Sequence, residues 1–177
     1  MKLVLELPIT PSANRLTRSR AAKWGGIVVY KSGEARSYHD KVYEIVNAEM
    51  ARTGFVPLAG ERYKITVIFY PEPPKDWVKR KKKSDDWDSE ISRLDLDNVV
   101  KALGDAIQES GAIGYPPSEF KKLSKEAQQR VKKANDRMMF WSEQLVAEPD
   151  GNGGRIVAII ERAQKQDTQA RIAEILQ

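Results

Sequence analysis

Two stretches of the chain alternate apolar and polar residues, the pattern of a β-strand with one buried face. In residues 2–8 every second position from Leu3 onwards is a leucine, and residues 63–70 combine alternation with side chains that favour strands. Prolines close both stretches, and proline cannot donate a hydrogen bond to a continuing ladder. We therefore expect strands at 2–8 and 63–70.

Two other stretches place apolar residues at the spacing of an amphipathic helix. The first covers residues 34–52 and is followed by Gly54, and the second begins at Asn98 and is followed by Gly111. Glycine commonly follows the last turn of a helix, because it adopts the left-handed backbone conformation without strain. The pattern predicts helices that end at these two glycines.

Shorter segments complete the pattern. Residues 27–30 predict a short strand, and two further strands are predicted at Arg137–Val146 and Arg155–Ile160. A stretch rich in turn-forming residues separates the last two, so we expect them to pair as a hairpin. Apolar residues at helical spacing predict a final helix at 167–176.

The order of these elements predicts an α/β (α+β) fold with a small mixed sheet, packed helices, and a C-terminal β-hairpin followed by a helix. A length of 177 residues is typical of one domain, so we expect a single domain over residues 1–177. A charged connection at 75–92 and a lysine-rich insertion at 115–134 interrupt the regular pattern. In the insertion, Ser118 or Ser124 is the predicted start of a helix.

The composition excludes several kinds of functional site. There is no cysteine and only one histidine, His39, so disulfides, thiolate metal sites and ordinary zinc sites are not expected. Lysine and arginine number 30 against 25 acidic residues, a net charge of +5 that fits a polyanionic partner. The sequence lacks a membrane-spanning apolar run and a signal peptide, so we expect a cytoplasmic protein that binds no membrane.

The residues most suited to catalysis lie at 93–101, which read Arg-Leu-Asp-Leu-Asp-Asn-Val-Val-Lys. Asp95 and Asp97 stand between an extended run and the predicted helix, where alternate residues share a face roughly 6.6 Å apart. Two such carboxylates suit Mg²⁺, and Lys101 adds positive charge one helical turn later. This combination suits phosphodiester chemistry. A structural role stays open, with Asp97 as the helix N-cap and Lys101 as its ion-pair partner.

Three motifs resemble those of the RusA family of Holliday junction resolvases, which phages and prophages often carry. The first is the strand that runs into Leu7–Arg15, similar to the family's strand followed by Pro-Pro-Ser-x-Asn. The second is the Asp-x-Asp-Asn-x-x-Lys run that begins at Asp95. The third is Asn135-Asp136 before a predicted strand, similar to an Asp-Asp pair of the family, with Asn135 in place of the first aspartate.

The resemblance implies a RusA-like fold and a homodimeric, Mg²⁺-dependent crossover junction endodeoxyribonuclease, with Mn²⁺ as a substitute metal. Such enzymes nick opposing strands of four-way DNA junctions, and the expected location is a bacterial or phage-infected cell. Carried onto this chain, Asp95, Asp97 and Asp136 hold the metal, and Lys101 is the essential cation.

The chain departs from the family pattern in two places. The connection at 75–92 is longer than usual, and the insertion at 115–134 stands where the family has a short loop. Because the insertion directly precedes Asp136, Asp105 and Glu109 stay open as alternative third ligands. The insertion is either a DNA-gripping helix beside the site or a solvent-exposed helix.

With branched DNA as the implied substrate, a basic loop after the first strand becomes the predicted DNA-binding surface. The predicted contacts are Asn14, Arg15, Arg18, Arg20 and Lys23, together with Arg93. Asn14 has the alternative role of stabilising its turn. The basic run Lys79–Lys83 either contacts DNA or is a solvated linker. Trp24, Trp77 and Trp87 either stack on unpaired bases or act as packing anchors, with packing favoured for Trp77.

Two competing functions remain open. In the first, the chain is a non-catalytic nucleic-acid-binding protein in which Asp95 and Asp97 are structural. In the second, it is a nuclease with a different range of branched DNA, such as flaps or replication forks. Magnesium-dependent nicking of branched DNA separates the first from a resolvase, and a comparison of four-way, three-way and linear DNA separates the second.

Overall fold

The computed structural model of the chain describes residues 2–58, 61–84, 96–113, 122–128 and 139–163. Its elements in chain order are β1 (Lys2–Pro8), α1 (Ala13–Leu16), β2 (Thr17–Ala21), β3 (Ile27–Lys31), α2 (Gly33–Thr53), β4 (Arg62–Tyr70), α3 (Trp77–Lys81), α4 (Leu96–Ser110), β5 (Met139–Val146) and β6 (Arg155–Ala163). This mixture of helices and strands confirms the predicted α+β class. No helix in the described ranges is both long and apolar enough to cross a membrane.

Four strands form one mixed sheet in the order β1-β6-β4-β5. β6 runs antiparallel to both of its neighbours, whereas β4 and β5 are parallel. The register aligns Leu5 with Ala158 and Ala158 with Val67, and all three side chains are buried. The alternation predicted for residues 2–8 and 63–70 is therefore confirmed, since it places one face of these strands in the core.

Two long helices cover the buried face of the sheet. Tyr38, Val42 and Val46 of α2 belong to the same hydrophobic cluster as Leu103 and Ile107 of α4 and the inward-facing strand residues. α2 packs against both α4 and β1. Fully burying a leucine or isoleucine side chain is worth about 1.5–3 kcal/mol, so this cluster holds α4 firmly on the rest of the fold.

Glycine follows both long helices, as the sequence predicted, and a serine caps the start of α2. Ser32 begins α2, and its hydroxyl accepts a hydrogen bond from the Ala35 backbone N–H at 3.0 Å. Gly54 ends α2 with a φ of 68°, and Gly111 follows α4 with a φ of 83°. Because side chains with a Cβ are strained at such angles, glycine at these two positions sets the length of each helix.

The prediction of a basic loop after β1 is wrong, because residues 13–21 form α1 and β2. β2 pairs antiparallel with β3 in a two-stranded sheet that is separate from the main one. The short strand predicted at 27–30 is confirmed and extends to Lys31. We call the two strands and their connecting turn, residues 17–31, the arm.

The predicted pairing of the last two strands as a hairpin is also wrong. β5 and β6 lie on opposite sides of β4, so the chain between them crosses the end of β4. Neighbouring strands are only about 4.8 Å apart, and the turn-rich connection is long enough for this crossing. The side chains of β4 from Tyr63 onwards are all buried or half-buried, which fits an interior strand, whereas residues 143–146 of β5 are exposed.

Two irregular segments are described in part. Residues of the connection at 75–92 form α3, and in the insertion Ser124 begins a helical turn by accepting a hydrogen bond from the Ala127 backbone N–H at 3.2 Å. The predicted helix start at Ser124 is thus confirmed. The helix predicted at 167–176 lies outside the described residues.

Candidate active site

The candidate catalytic motif lies at the start of α4. This helix begins at Leu96, so Asp97 lies inside its first turn. The predicted helix start at Asn98 is therefore wrong, and so is the alternative role of Asp97 as the N-cap. Because Asp97 is helical, the expected strand spacing between Asp95 and Asp97 does not hold at Asp97. An acidic residue in the first turn is favourable, because a helix N-terminus carries partial positive charge. Other predicted site members lie outside the described residues: Arg93, Asp95 and Asp136.

Lys101 is exposed to solvent on α4, close to the start of the helix. It follows Asp97 by four positions, which corresponds to about 6 Å along the helix axis and about 40° around it. The two residues therefore share a face. Lys101 takes part in none of the ion pairs among the described residues, although Asp105 stands one turn further on. Its ammonium group thus faces solvent, where a phosphate can approach.

Glu109, one alternative for a third metal ligand, lies near the opposite end of α4. It is about 18 Å from Asp97 along the helix axis, too far for both carboxylates to bind one Mg²⁺ at about 2.1 Å. Its carboxylate is also engaged elsewhere, with Lys31 Nζ at 2.5 Å and His39 Nδ1 at 2.7 Å. The geometry excludes Glu109 as a ligand beside Asp97, so Asp136 stays the predicted third ligand and Asp105 stays the alternative.

The Glu109 carboxylate instead joins three elements of the fold. Lys31 is the last residue of the arm, His39 belongs to α2, and Glu109 belongs to α4. Lys31 approaches Oε1 of the carboxylate and His39 approaches Oε2, so both oxygens of Glu109 have a neighbour. Burial raises the pKa of Glu109, but the Lys31 hydrogen bond and the charges of His39 and Lys31 together hold that pKa below its usual range.

We expect Glu109→Gln to lower the stability of the protein near neutral pH but not in acid. A carboxyl whose pKa is lowered by folding stabilises the folded state above its unfolded pKa of about 4.3, and this contribution is lost as pH falls through the folded pKa. The melting temperatures of wild type and variant should therefore differ at about pH 7 and converge below about pH 4.

Thermal melts across this pH range provide the measurement. Glu44→Gln, which neutralises an exposed carboxylate of α2, is the matched control and should show no such convergence. A Glu109→Gln difference that is equally large in acid would contradict the assignment of an ionised Glu109.

Sequence reasoning missed this three-element contact. Lys31 and Glu109 are 78 positions apart, and no local pattern indicates that they meet. His39 lies partly buried beside Glu109. The contact becomes visible only when the packing of α2 against α4 and the position of the arm are known.

All described members of the predicted DNA-binding set are exposed: Asn14 and Arg15 in α1, Arg18 and Arg20 in β2, and Lys23 in the turn of the arm. Because Arg18 and Arg20 alternate along a strand, they share one face of the arm. Arg15 lies outside the arm, with Nη1 3.7 Å from Oε2 of Glu34. The cations therefore spread from α1 to the tip of the arm rather than clustering in a loop.

The second basic run, Lys79–Lys83, is partly neutralised by neighbouring acids. Lys81 Nζ lies 2.9 Å from a carboxylate oxygen of Glu148, and Arg80 Nε lies 2.9 Å from Asp76. Trp77, at the start of α3, is half-buried, and a Cβ added to Gly151 would lie 3.8 Å from its indole ring. These contacts indicate a packing role for Trp77, and they favour the arm over this run as the DNA-binding surface.

Comparison with known families agrees with the motifs. The sequence matches the family model described as Endodeoxyribonuclease RusA over residues 8–115. The matched part contains α1, the arm and the whole of α4, and it ends at the start of the insertion. No curated protein matches the chain. Because the match covers more than half of the 177 residues, the chain belongs to the RusA endodeoxyribonuclease family.

Proposed function

We propose that the protein is a Mg²⁺-dependent endonuclease that resolves four-way DNA junctions by paired phosphodiester hydrolysis. The observation that carries the proposal is the start of α4 in a chain of this nuclease family. There Asp97 and Lys101 share one helix face, and Lys101 faces solvent. The partial positive charge of the helix N-terminus adds to the attraction for a phosphate.

The proposed metal ligands fit Mg²⁺ by their chemistry, since all three are carboxylates and Mg²⁺ prefers oxygen donors. Asp95, Asp97 and Asp136 would hold the ion. In the described part of the chain, no three metal-binding side chains lie together, so the set rests on the family motifs. When bound, the ion supplies positive charge that stabilises negative charge on phosphate oxygens.

Lys101 in this proposal acts on the scissile phosphate and not on the metal, because a protonated amine cannot be a ligand. Its charge neutralises the negative charge that builds on the phosphate oxygens as water attacks phosphorus. It also orients the phosphate before attack, together with the N-terminus of α4. Both roles require the exposed position that Lys101 has.

A homodimer is the proposed functional unit. A four-way junction has near two-fold symmetry, and two symmetric nicks require two identical sites related by a two-fold axis. Residues 1–177 would form one domain of each subunit. Sedimentation of the purified protein tests the dimer, and a monomer that still makes paired nicks would contradict this part of the proposal.

The decisive experiment compares cleavage of four-way, three-way and linear DNA of matched sequence, with and without Mg²⁺. The proposal expects Mg²⁺-dependent paired nicks in the four-way junction and little cutting of linear duplex. Binding without cutting would indicate a non-catalytic DNA-binding protein. Equal or faster cutting of three-way DNA would indicate a nuclease with a different range of branched substrates.

We expect the combined change Arg15→Ala, Arg18→Ala and Arg20→Ala to weaken binding to every DNA form and to reduce its salt dependence. DNA binding releases counterions at each phosphate that the protein neutralises. Each lost phosphate contact should therefore reduce the magnitude of the slope of log K against log salt by about 0.9. Three lost contacts would therefore reduce the slope by about 2–3. Titrations of linear duplex at several salt concentrations measure this slope.

The matched control replaces two exposed cations elsewhere, Lys41 of α2 and Arg62 of β4, with alanine. This variant should keep the wild-type slope. An unchanged slope in the triple variant would place the DNA-binding surface elsewhere, and Lys79–Lys83 would be the next segment to test.

A further inference from the structure

The arm has two chemically different faces. Paired residues of adjacent strands share a face, and the register pairs Arg18 with Tyr30 and Arg20 with Val28. The Arg20 guanidinium also lies 5.8 Å from the centre of the Tyr30 ring. One face of the arm is therefore cationic and aromatic. The opposite face pairs Ser19 with Val29 and Ala21 with Ile27 and carries no charge near the tip.

The tip of the arm exposes large apolar side chains to solvent. Trp24 is 83% exposed and Ile27 is 78% exposed. A buried tryptophan is among the largest contributors to a hydrophobic core, so packing within the described part of the chain gives no reason for Trp24 at this position. Lys23, which precedes Trp24 in the sequence and is also exposed, adds a positive charge to the tip.

The turn that carries Trp24 is well defined. The Ala22 N–H donates to the Gly26 carbonyl at 2.9 Å, and the Gly25 N–H donates to the Ala22 carbonyl at 3.1 Å. Gly25 and Gly26 both have positive φ, at 77° and 132°, which side chains with a Cβ rarely adopt. The turn therefore fixes the backbone on both sides of Trp24 and presents the indole outward.

The base of the arm is fixed to the body of the protein. The Ser32 N–H donates to the Leu16 carbonyl at 3.0 Å, and the Ser32 hydroxyl donates to the Arg15 carbonyl. Lys31 adds its ion pair with Glu109 of α4. An arm held at its base, with an exposed aromatic tip and a cationic face, has the features of an element that reaches into a nucleic acid.

We propose that the arm inserts into the branch point of DNA, where Trp24 stacks on an unpaired base while Arg18, Arg20 and Lys23 contact the flanking phosphates. The proposal deepens the proposed function and rests on it for the substrate. Every base has a flat face, so stacking on an indole tolerates any sequence. Bases at a branch point are more easily unstacked than bases within a duplex, so the tip discriminates branched from linear DNA.

Charge favours DNA over a second copy of this chain as the occupant. A second copy would bring its own Arg18, Arg20 and Lys23 to the contact, and the chain already carries a net charge of +5. Phosphates on both sides of the tip are the complementary partner. The apolar side chains of Val29 and Ile27 on the opposite face leave contact between copies as the competing outcome for the experiment.

The experiment measures binding of wild type, Trp24→Ala and Trp24→Phe without divalent metal. The probes are a four-way junction with 2-aminopurine at the branch point, the same junction with 2-aminopurine inside one arm, and a linear duplex. Trp24→Ala should lose about tenfold or more in junction affinity, as expected for a lost base stack. It should also lose the fluorescence change at the branch point but bind linear duplex as wild type does. Trp24→Phe should retain part of both signals.

Tyr43→Ala is the matched control, because it removes an exposed aromatic from α2 without touching the arm. It should behave as wild type. Unaltered junction affinity and branch-point fluorescence in Trp24→Ala would overturn the proposal. Conversion of a dimer to a monomer by Trp24→Ala, seen by sedimentation without DNA, would also overturn it and assign the tip to contact between copies.

Cleavage by the wild-type protein in Mg²⁺ separates this proposal from the proposed function. If wild type cuts the junction and Trp24→Ala binds and cuts it equally well, only the role of the arm is wrong. If wild type neither binds nor cuts the junction, the proposed function fails, and the branch-point role of the arm fails with it.

Discussion

Asp97→Asn is expected to abolish junction cleavage while leaving junction binding intact. Asparagine keeps the size of the side chain but loses the negative charge that Mg²⁺ requires. We expect cleavage to fall at least a hundredfold, which corresponds to about 2.7 kcal/mol of transition-state stabilisation. Binding should be equal or tighter, because one negative charge that repels phosphate is removed. Single-turnover cleavage and a separate titration in the absence of metal measure the two effects.

Stability cannot account for a loss of that size. A charge in the first turn of a helix is worth about 0.3–1 kcal/mol, so the variant should melt only slightly below wild type. Asp40→Asn is the matched control, since it neutralises an exposed aspartate of α2 that is not a candidate metal ligand. Wild-type cleavage by Asp97→Asn across a range of Mg²⁺ concentrations would show that the metal assignment is wrong. Asp95→Asn is expected to behave as Asp97→Asn does.

Lys101→Ala should also stop turnover, and Lys101→Arg should restore it only in part. Arginine keeps the charge but spreads it over a planar group with a different reach. If Lys101 were only the ion-pair partner of Asp97, its loss would cost about 0.2–0.5 kcal/mol of stability, a small effect compared with the loss of turnover. We expect a loss of about a hundredfold or more in the rate of cleavage, as for removal of a group that stabilises transition-state charge.

The rate at saturating enzyme distinguishes the two roles of Lys101. A catalytic role lowers this rate, whereas a role in binding alone is overcome by raising the protein concentration. Lys41→Ala, which removes an exposed lysine from α2, should change neither quantity. Full activity in Lys101→Ala would reduce Lys101 to a surface residue.

The sequence predicted those parts of the fold that depend on local patterns. Alternation located the strands at 2–8 and 63–70, and Gly54 and Gly111 located the ends of the two long helices. The order of strands in the sheet was not predictable in this way. The connection after β5 has the composition of a hairpin turn, but β4 lies between β5 and β6 and pairs with both of them.

The same distinction applies to the candidate site. Asp97 and Lys101 are close in sequence, so helix geometry alone relates them, and the structure corrected only the point at which the helix begins. The contact of Glu109 with Lys31 and His39 depends on packing between distant elements, so no local sequence pattern indicates it. Within the arm, β2 was mistaken for a loop because it is exposed at every position and its sequence has no alternation of apolar and polar residues, whereas β3 was predicted as a strand.

The central position of β6 determines when the main sheet can form. Leu3 of β1 and Ile65 of β4 both pair with Ile160, so neither β1 nor β4 has this neighbour until β6, the last strand in the described part of the chain, is available. Pairing between segments so far apart in sequence folds slowly, because the entropy of closing the long loop is lost before the contacts form. During synthesis, α4 therefore lacks a completed sheet to pack against until β6 has left the ribosome. A nascent chain of this nuclease should be unable to cut DNA before that point.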